Sequence, residues 1–225
     1  MQFCRICFVN LRSASEQGSF CSNCQRELEE FSLRDHRARH VSAQSPICDI
    51  HSLWRYRGIT RELILRAKVR RDLSALKLLI AITTKRDEAK NLISWSDVVV
   101  PAPSSLWSRL YGRLDVASLT TNALTEIYGK DIRSAPRELY WRWRKQTRRD
   151  RGQRAANDPV ESTLLSVRQY FSKFGAISPD SKSEYPNRVL LVDDVVTTGA
   201  TLHRTAVALK AHGASVVRCL TLAKS

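Results

Sequence analysis

Several things are scarce in this chain of 225 residues. No apolar run approaches the roughly 20 residues that a membrane span needs, so no membrane insertion is expected. The first residues, Met1-Gln-Phe-Cys-Arg5, lack the apolar segment of a signal peptide, and a cytoplasmic location is expected. Acids are few: 22 Asp and Glu stand against 37 Lys and Arg, for a formal net charge of +15 and a pI near 10.0. Folding does not require such an imbalance. It suits a polyanionic partner, with nucleic acid first, anionic membrane second and phosphorylated small molecules third. A generally basic, soluble surface is the competing reading. Two familiar nucleotide-binding patterns are missing, the Gly-Lys-Ser/Thr of a Walker loop and Gly-x-Gly-x-x-Gly. No internal repeat is visible.

What is present is organised around Arg188-Val-Leu-Leu-Val-Asp-Asp-Val-Val-Thr-Thr-Gly-Ala-Thr-Leu202. Val189 to Val192 form a wholly apolar run, as expected of a buried parallel strand. Asp193 and Asp194 are expected to stop it. Thr197, Thr198, Gly199, Ala200 and Thr201 follow, and helical spacing then begins with Leu202, Ala206 and Leu209. A strand, a polar turn with glycine and a helix together make an anion cradle. The turn's N–H groups and the positive end of the helix dipole face a phosphate. Two carboxylates beside a phosphate loop would only repel its ligand, unless that ligand also carries hydroxyls to donate to them. A ribose 5-phosphate satisfies both halves. An ordinary strand–turn–helix with an acidic cap is the competing reading. The stretch closely resembles the phosphoribosyl pyrophosphate (PRPP) signature of type I phosphoribosyltransferases.

The cysteines form a second motif. Cys4-Arg-Ile-Cys7 and Cys21-Ser-Asn-Cys24 are two Cys-x-x-Cys pairs with thirteen residues between them. That spacing suits four thiolates placed tetrahedrally on a structural Zn²⁺, with no position left open for catalysis. Disulfides are disfavoured in a reducing cytoplasm, and a redox role would use only one pair. Unmetallated thiols are the remaining alternative. Cys219 lies in an apolar run and is expected in the core. Cys48 stands near the module boundary as an alternative ligand. A zinc-binding module and linker over 1–45 and a second domain over 46–225 follow from these boundaries. A helix over 25–34 is expected to pack on the module.

Further along, Ile47 to Tyr56 reads as a strand or hairpin and Arg61 to Val69 as a helix. A second helix over 72–85 starts on an Asp72 cap. Arg55, Arg57, Arg61, Arg66, Lys68, Arg70 and Arg71 crowd this region against a single acid, Glu62. Asp97 to Val100 reads as another buried strand, ended by the turn Pro101-Ala-Pro-Ser104. Such a turn at the carboxyl end of a parallel sheet is a good place for a second anion contact. Helices are expected over 113–128 and 160–174, and a last strand over 215–222. Arg133 to Asn157 is the most basic stretch. It interleaves Arg142, Arg144, Lys145, Arg148 and Arg149 with Trp141 and Trp143. Cations with flat rings suit single-stranded nucleic acid, although a solvated loop or exposed helix fits too, with the tryptophans as core anchors.

The Val-Pro-x-Pro turn, the N-terminal Cys-x-x-Cys pairs and the PRPP signature near the C-terminus together resemble the ComF family of GntX-like competence proteins. The resemblance covers nearly the whole chain. It implies a type I phosphoribosyltransferase-like α/β fold, with a parallel sheet flanked by helices. By that resemblance Asp193 and Asp194 would hold ribose hydroxyls and act in catalysis. Thr197 to Thr201 would hold the 5′-phosphate, and Pro101, Ala102, Ser104 and Lys145 would meet the pyrophosphate. Mg²⁺ would bridge ribose and pyrophosphate oxygens. Gln146, Arg154 and Asn157 match the family's Gln…Arg-x-x-Asn spacing. The family usually places Arg-Gly-Phe-Asn-Gln near the 113–128 helix, where this chain has Tyr111-Gly-Arg-Leu-Asp115. The function implied is PRPP binding tied to DNA uptake in natural transformation, with single-stranded DNA and a competence helicase as partners. An active phosphoribosyltransferase of nucleotide metabolism is the alternative.

Overall fold

The computed structural model describes residues 3–10, 20–33, 45–104, 111–136, 139 and 185–225. Of the basic stretch from Arg133 to Asn157, only residues 133–136 and 139 are described, and the helix expected over 160–174 lies outside the described residues. In chain order the described elements are α1 (Ser22–Glu30), β1 (Asp49–Arg55), α2 (Gly58–Lys68), α3 (Leu73–Thr84), α4 (Asp87–Trp95), β2 (Val98–Pro101), α5 (Val116–Tyr128), β3 (Asp131–Ile132), β4 (Arg188–Val196), α6 (Ala200–Ala211) and β5 (Val216–Lys224). The five strands form one sheet in the order β1-β5-β4-β2-β3, every neighbouring pair parallel. Among the described residues no helix is long and apolar enough to cross a membrane.

Strand β4 explains the apolar run. It pairs with β5 on one side and β2 on the other, and Val189 to Val192 are fully buried. Successive side chains of a strand point to opposite faces. Leu190 and Val192 join the core cluster that also holds Leu63, Leu79, Ile93 and Leu124 of α2, α3, α4 and α5. Val189 and Leu191 join the cluster on the other face, with Leu202, Ala206 and Leu209 of α6. A strand covered on both faces has no polar side to present, hence the continuous run.

The expectation that the two acids end this strand is corrected. Pairing with β5 continues through Asp193 opposite Thr221 and Val195 opposite Ala223, and ends at Val196 opposite Lys224. Backbone hydrogen bonding to a neighbour holds the chain extended, and the acids sit within the ladder. Two short elements escaped the sequence reading, α4 and the two-residue β3.

Helix starts follow local chemistry. The Asp72 side chain accepts from the N–H groups of Ser74 and Ala75, as expected. Asp115 caps α5 by accepting from Ser118 N–H. Helix α2 has no cap of its own at Arg57. Its Ile59 N–H instead donates to Glu27 Oε1 on α1, at 2.9 Å.

That bond belongs to a broad junction with the N-terminal segment. Arg66 donates to Ile6 O at 2.9 Å and pairs with Asp72, and its guanidinium lies 4.9 Å from the Phe8 ring centroid. Leu33 N–H donates to Leu53 O, and Arg55 N–H donates to Phe31 O, beside an antiparallel bridge between Ser32 and Trp54. Buried Cys4, Ile6, Cys21 and Cys24 share one cluster with Leu63 of α2, Leu190 of β4 and Leu220 of β5. The core therefore runs unbroken from the cysteine segment into the sheet.

Replacing Glu27 with Ala strands the first-turn donor of α2. The expected loss is about 1 kcal/mol of unfolding free energy, typical of a lost cap. Urea denaturation with an unchanged m-value checks it.

Candidate functional site

Parallel strands bring their carboxyl ends to one rim, where ligands of α/β sheets bind. At this rim β4 hands over to α6 through Thr197, Thr198 and Gly199. Gly199 takes φ +75°, a left-handed conformation that side-chain-bearing residues adopt at a cost. A Cβ there would touch only Val196, at 3.9 Å, so conformation rather than space calls for glycine. The turn lets α6 begin abruptly. Among the described residues no side chain caps the helix, and the first-turn N–H groups have no partner within it. Thr198 Oγ1 reaches Ala200 N–H only at 3.4 Å.

The first turn of α6 opens on a hollow of about 40 Å³ lined by Asp193, Val195 to Thr198, Gly199 and Ala200 to Leu202. The first-turn N–H groups, the residues Thr197, Thr198 and Thr201 and the positive end of the helix dipole surround a space suited to a small oxyanion.

The two acids play separate parts. Asp193 lines the hollow and accepts from Asp194 N–H at 2.8 Å. Burial, then the Asp194 carboxylate beside it, push Asp193 up to about 8. A raised acid binds its proton more tightly folded than unfolded. Its ionisation therefore opposes folding as pH rises from the ordinary carboxylate range to about 8, and not below it. Asp194 is 6% exposed and is not among the residues lining the hollow. Its Oδ1 accepts from Val195 N–H, and its Oδ2 is ion-paired with Lys68 Nζ from the last residue of α2. The sequence reading counted Lys68 only among a crowd of basic residues. Its alternation with buried Leu63, Ile64 and Ala67 gave no sign of a partner 126 residues away.

The turn expected on the pyrophosphate side lies beside this rim. Pro101 is in register with Val192, and buried Ala102 donates its N–H to Val192 O at 2.7 Å. Ser104 is half-buried at the end of the turn. Lys145, Trp141, Arg142, Trp143, Arg144, Arg148 and Arg149 lie outside the described residues.

The second candidate centre is the cysteine cluster. The Sγ atoms of Cys4, Cys7, Cys21 and Cys24 all lie within 4.8 Å of one another, with Cys7 and Cys21 3.6 Å apart. A tetrahedral S₄ site with Zn–S near 2.3 Å needs sulfur spacings of about 3.8 Å, so the four thiols fit such a metal. Burial pushes the Cys4 thiol up, but the N–H groups of Cys7, Cys21 and Ile6 outweigh it and bring it to about 6, which favours the thiolate a metal requires. Burial, then the neighbouring thiols of Cys21, Cys7 and Cys4, raise Cys24. Cys48 is exposed and outside the cluster, and Cys219 is fully buried, as expected.

Residues 147–225 match the model of the phosphoribosyl transferase domain family, a span that includes β4, the loop, α6 and β5. Among solved structures, the chain is similar to orotate phosphoribosyltransferase from Aeropyrum pernix, at 16% identity and a TM-score of 0.38. That alignment covers 69% of this chain and 64% of the other, so the chain spans under two thirds of that protein's length. No curated protein matches it. The family match and the parallel sheet define a phosphoribosyltransferase-type fold.

The thiol cluster makes its own prediction. Chelator-treated protein titrated with Co²⁺ under reducing conditions is expected to develop sulfur-to-cobalt charge-transfer and tetrahedral d–d bands, saturating at one ion per chain. Cys24→Ser should weaken both bands and lower the melting temperature of the metal-loaded protein.

Proposed function

We propose that the protein binds PRPP or a related phosphoribosyl ligand at the rim between β4 and α6. The observation that carries this reading is one hollow with a phosphate cradle on one side, at Thr197 to Thr201, and a hydroxyl-accepting acid on the other, Asp193. The 5′-phosphate accepts from the first-turn N–H groups of α6 and from Thr198 and Thr201. The ribose hydroxyls donate to Asp193, and Asp194 supports it from behind. Pro101 to Ser104, with Lys145, meets the pyrophosphate.

An active PRPP-dependent phosphoribosyltransferase would use the same contacts. Its C1′–pyrophosphate bond opens through an oxocarbenium-like state, so the protein's task is to position the ribose and neutralise the leaving group. Within the acid pair, Asp194 holds Lys68 and Asp193 accepts a single backbone N–H. Mg²⁺ belongs in this reading on the ligand's own pyrophosphate oxygens. The four cysteines hold a structural Zn²⁺.

Titration calorimetry with PRPP tests the reading. Saturable binding is expected, weakened roughly tenfold or more by Asp193→Asn. Hydroxyl donation selects the ionised Asp193, which predominates in the free protein only above about 8. Affinity is therefore expected to climb with pH toward that value and level beyond it. Below it, proton release should show in buffers of different ionisation enthalpy, and Asp193→Asn should flatten the slope. An absence of saturable binding at any pH overturns the reading.

A ComF-like role in DNA uptake, with single-stranded DNA as ligand and a competence helicase as partner, is the second reading. The net charge of +15 favours it, as do the exposed Arg55, Arg57, Arg61 and Arg71 on β1 and α2 and the turns after them. Single-stranded DNA affinity should fall steeply with salt. Replacing Arg142, Arg144, Arg148 and Arg149 together should lower both affinity and salt slope at every sequence. Unchanged binding in that variant removes this stretch from the interface.

A further inference from the structure

Two adjacent carboxylates beside an anion cradle pose an electrostatic problem. Left alone, they repel the phosphate that the cradle is built to hold, and a divalent cation between acids and ligand is one way to relieve that repulsion. Here a side chain already pairs with one of the two acids. Lys68 ends α2 and pairs with Asp194 Oδ2. Asp194 is nearly enclosed, with its side chain 9% exposed, while the Lys68 side chain keeps 30% of its surface open. An ammonium has three donors. Among the described residues the Lys68 ammonium meets one acceptor, Asp194, which leaves donors for a ligand oxygen.

The lysine is also held in place. Its carbonyl accepts from Leu114 N–H at 3.0 Å, so the end of α2 is tied to the segment leading into α5. Two residues earlier, Arg66 is fixed by Asp72 and by Ile6 O. With Ala67 fully buried between them, α2 has little freedom to turn Lys68 away from Asp194. A charge held by packing costs less reorganisation on ligand binding than one recruited from solution.

We propose that Lys68 supplies the acid pair with a built-in cation, so that an anionic phosphoribosyl ligand binds at this rim without a divalent metal ion. The proposal rests on the phosphoribosyl reading above and adds how that site balances its charge. Lys68 bridges Asp194 and an oxygen of the bound ligand. A carboxylate pair compensated in this way carries one negative charge fewer when the phosphate arrives.

The test uses the full chain and ribose 5-phosphate, a probe without a pyrophosphate to bring its own metal. Binding is measured by calorimetry in buffer passed over a chelating resin, with and without added Mg²⁺, for the parent protein, Lys68→Met and Lys68→Arg. The parent is expected to bind equally well in both buffers. Lys68→Met should bind roughly tenfold or more weakly in the metal-free buffer and recover on addition of Mg²⁺. Lys68→Arg, which keeps the charge, should stay close to the parent. The cobalt spectrum of the cysteine cluster reports whether each variant is folded. Should Lys68→Met not fold, the parent's metal response and Lys68→Arg still decide. Parent binding that requires Mg²⁺ overturns the role of Lys68 and leaves the ligand site standing. Metal-free binding unchanged in Lys68→Met also overturns it. No binding of ribose 5-phosphate in either buffer overturns the proposal, and the PRPP titration decides whether the phosphoribosyl reading stands.

Discussion

The run Val189 to Val192 is buried from both faces, and its backbone is hydrogen-bonded to a parallel neighbour on each side. Such a strand cannot slide or tilt without exposing apolar surface on one face or breaking a ladder on the other. At about 25 cal/mol per Å² of apolar surface, exposing even two of these side chains would cost several kcal/mol. The groups that follow directly, Asp193, Asp194 and the turn to Gly199, inherit that rigidity. A cradle for a small anion needs its donors fixed to within fractions of an ångström, and the centre of the sheet is where the chain provides that fixity.

Around this centre the basic residues divide into two kinds. Arg66 and Lys68 are paired inward, to Asp72 and Ile6 O and to Asp194. Arg55, Arg57 and Arg71 remain exposed. Net charge alone left all of them to a polyanionic partner or to a generally basic surface. Their burial shows that part of the excess is internal compensation, placed where acids are desolvated, and that only the remainder faces outward.

Much of this was readable from the chain because local chemistry and tertiary demand agree. The signature around Asp193 to Thr201, the Asp72 cap and the two cysteine pairs each state their structure in a few consecutive residues. Other features needed the fold. The extent of β4 was misjudged because acids usually end apolar strands, whereas here β5 carries the pairing past them. Helix α4 offers few buried positions, Ala89, Leu92 and Ile93, and no side-chain cap, so it left a weak pattern. Lys68 and Glu27 act across 126 and 32 residues, and no spacing rule reaches that far.

The bonds between Phe31 to Leu33 and β1 carry a further consequence. In the sheet order, β1 is the outermost strand on its side. Leu33 N–H on Leu53 O, Arg55 N–H on Phe31 O and the Ser32–Trp54 bridge occupy hydrogen-bonding groups that would otherwise stand open along its margin. The segment that follows the thiol cluster thus works as a selvedge, finishing the fabric so that it does not take up another molecule's thread. A chain shortened to begin at β1 would keep the ligand rim in sequence, yet would carry a raw border ready to add strands from its neighbours, and would be prone to aggregate.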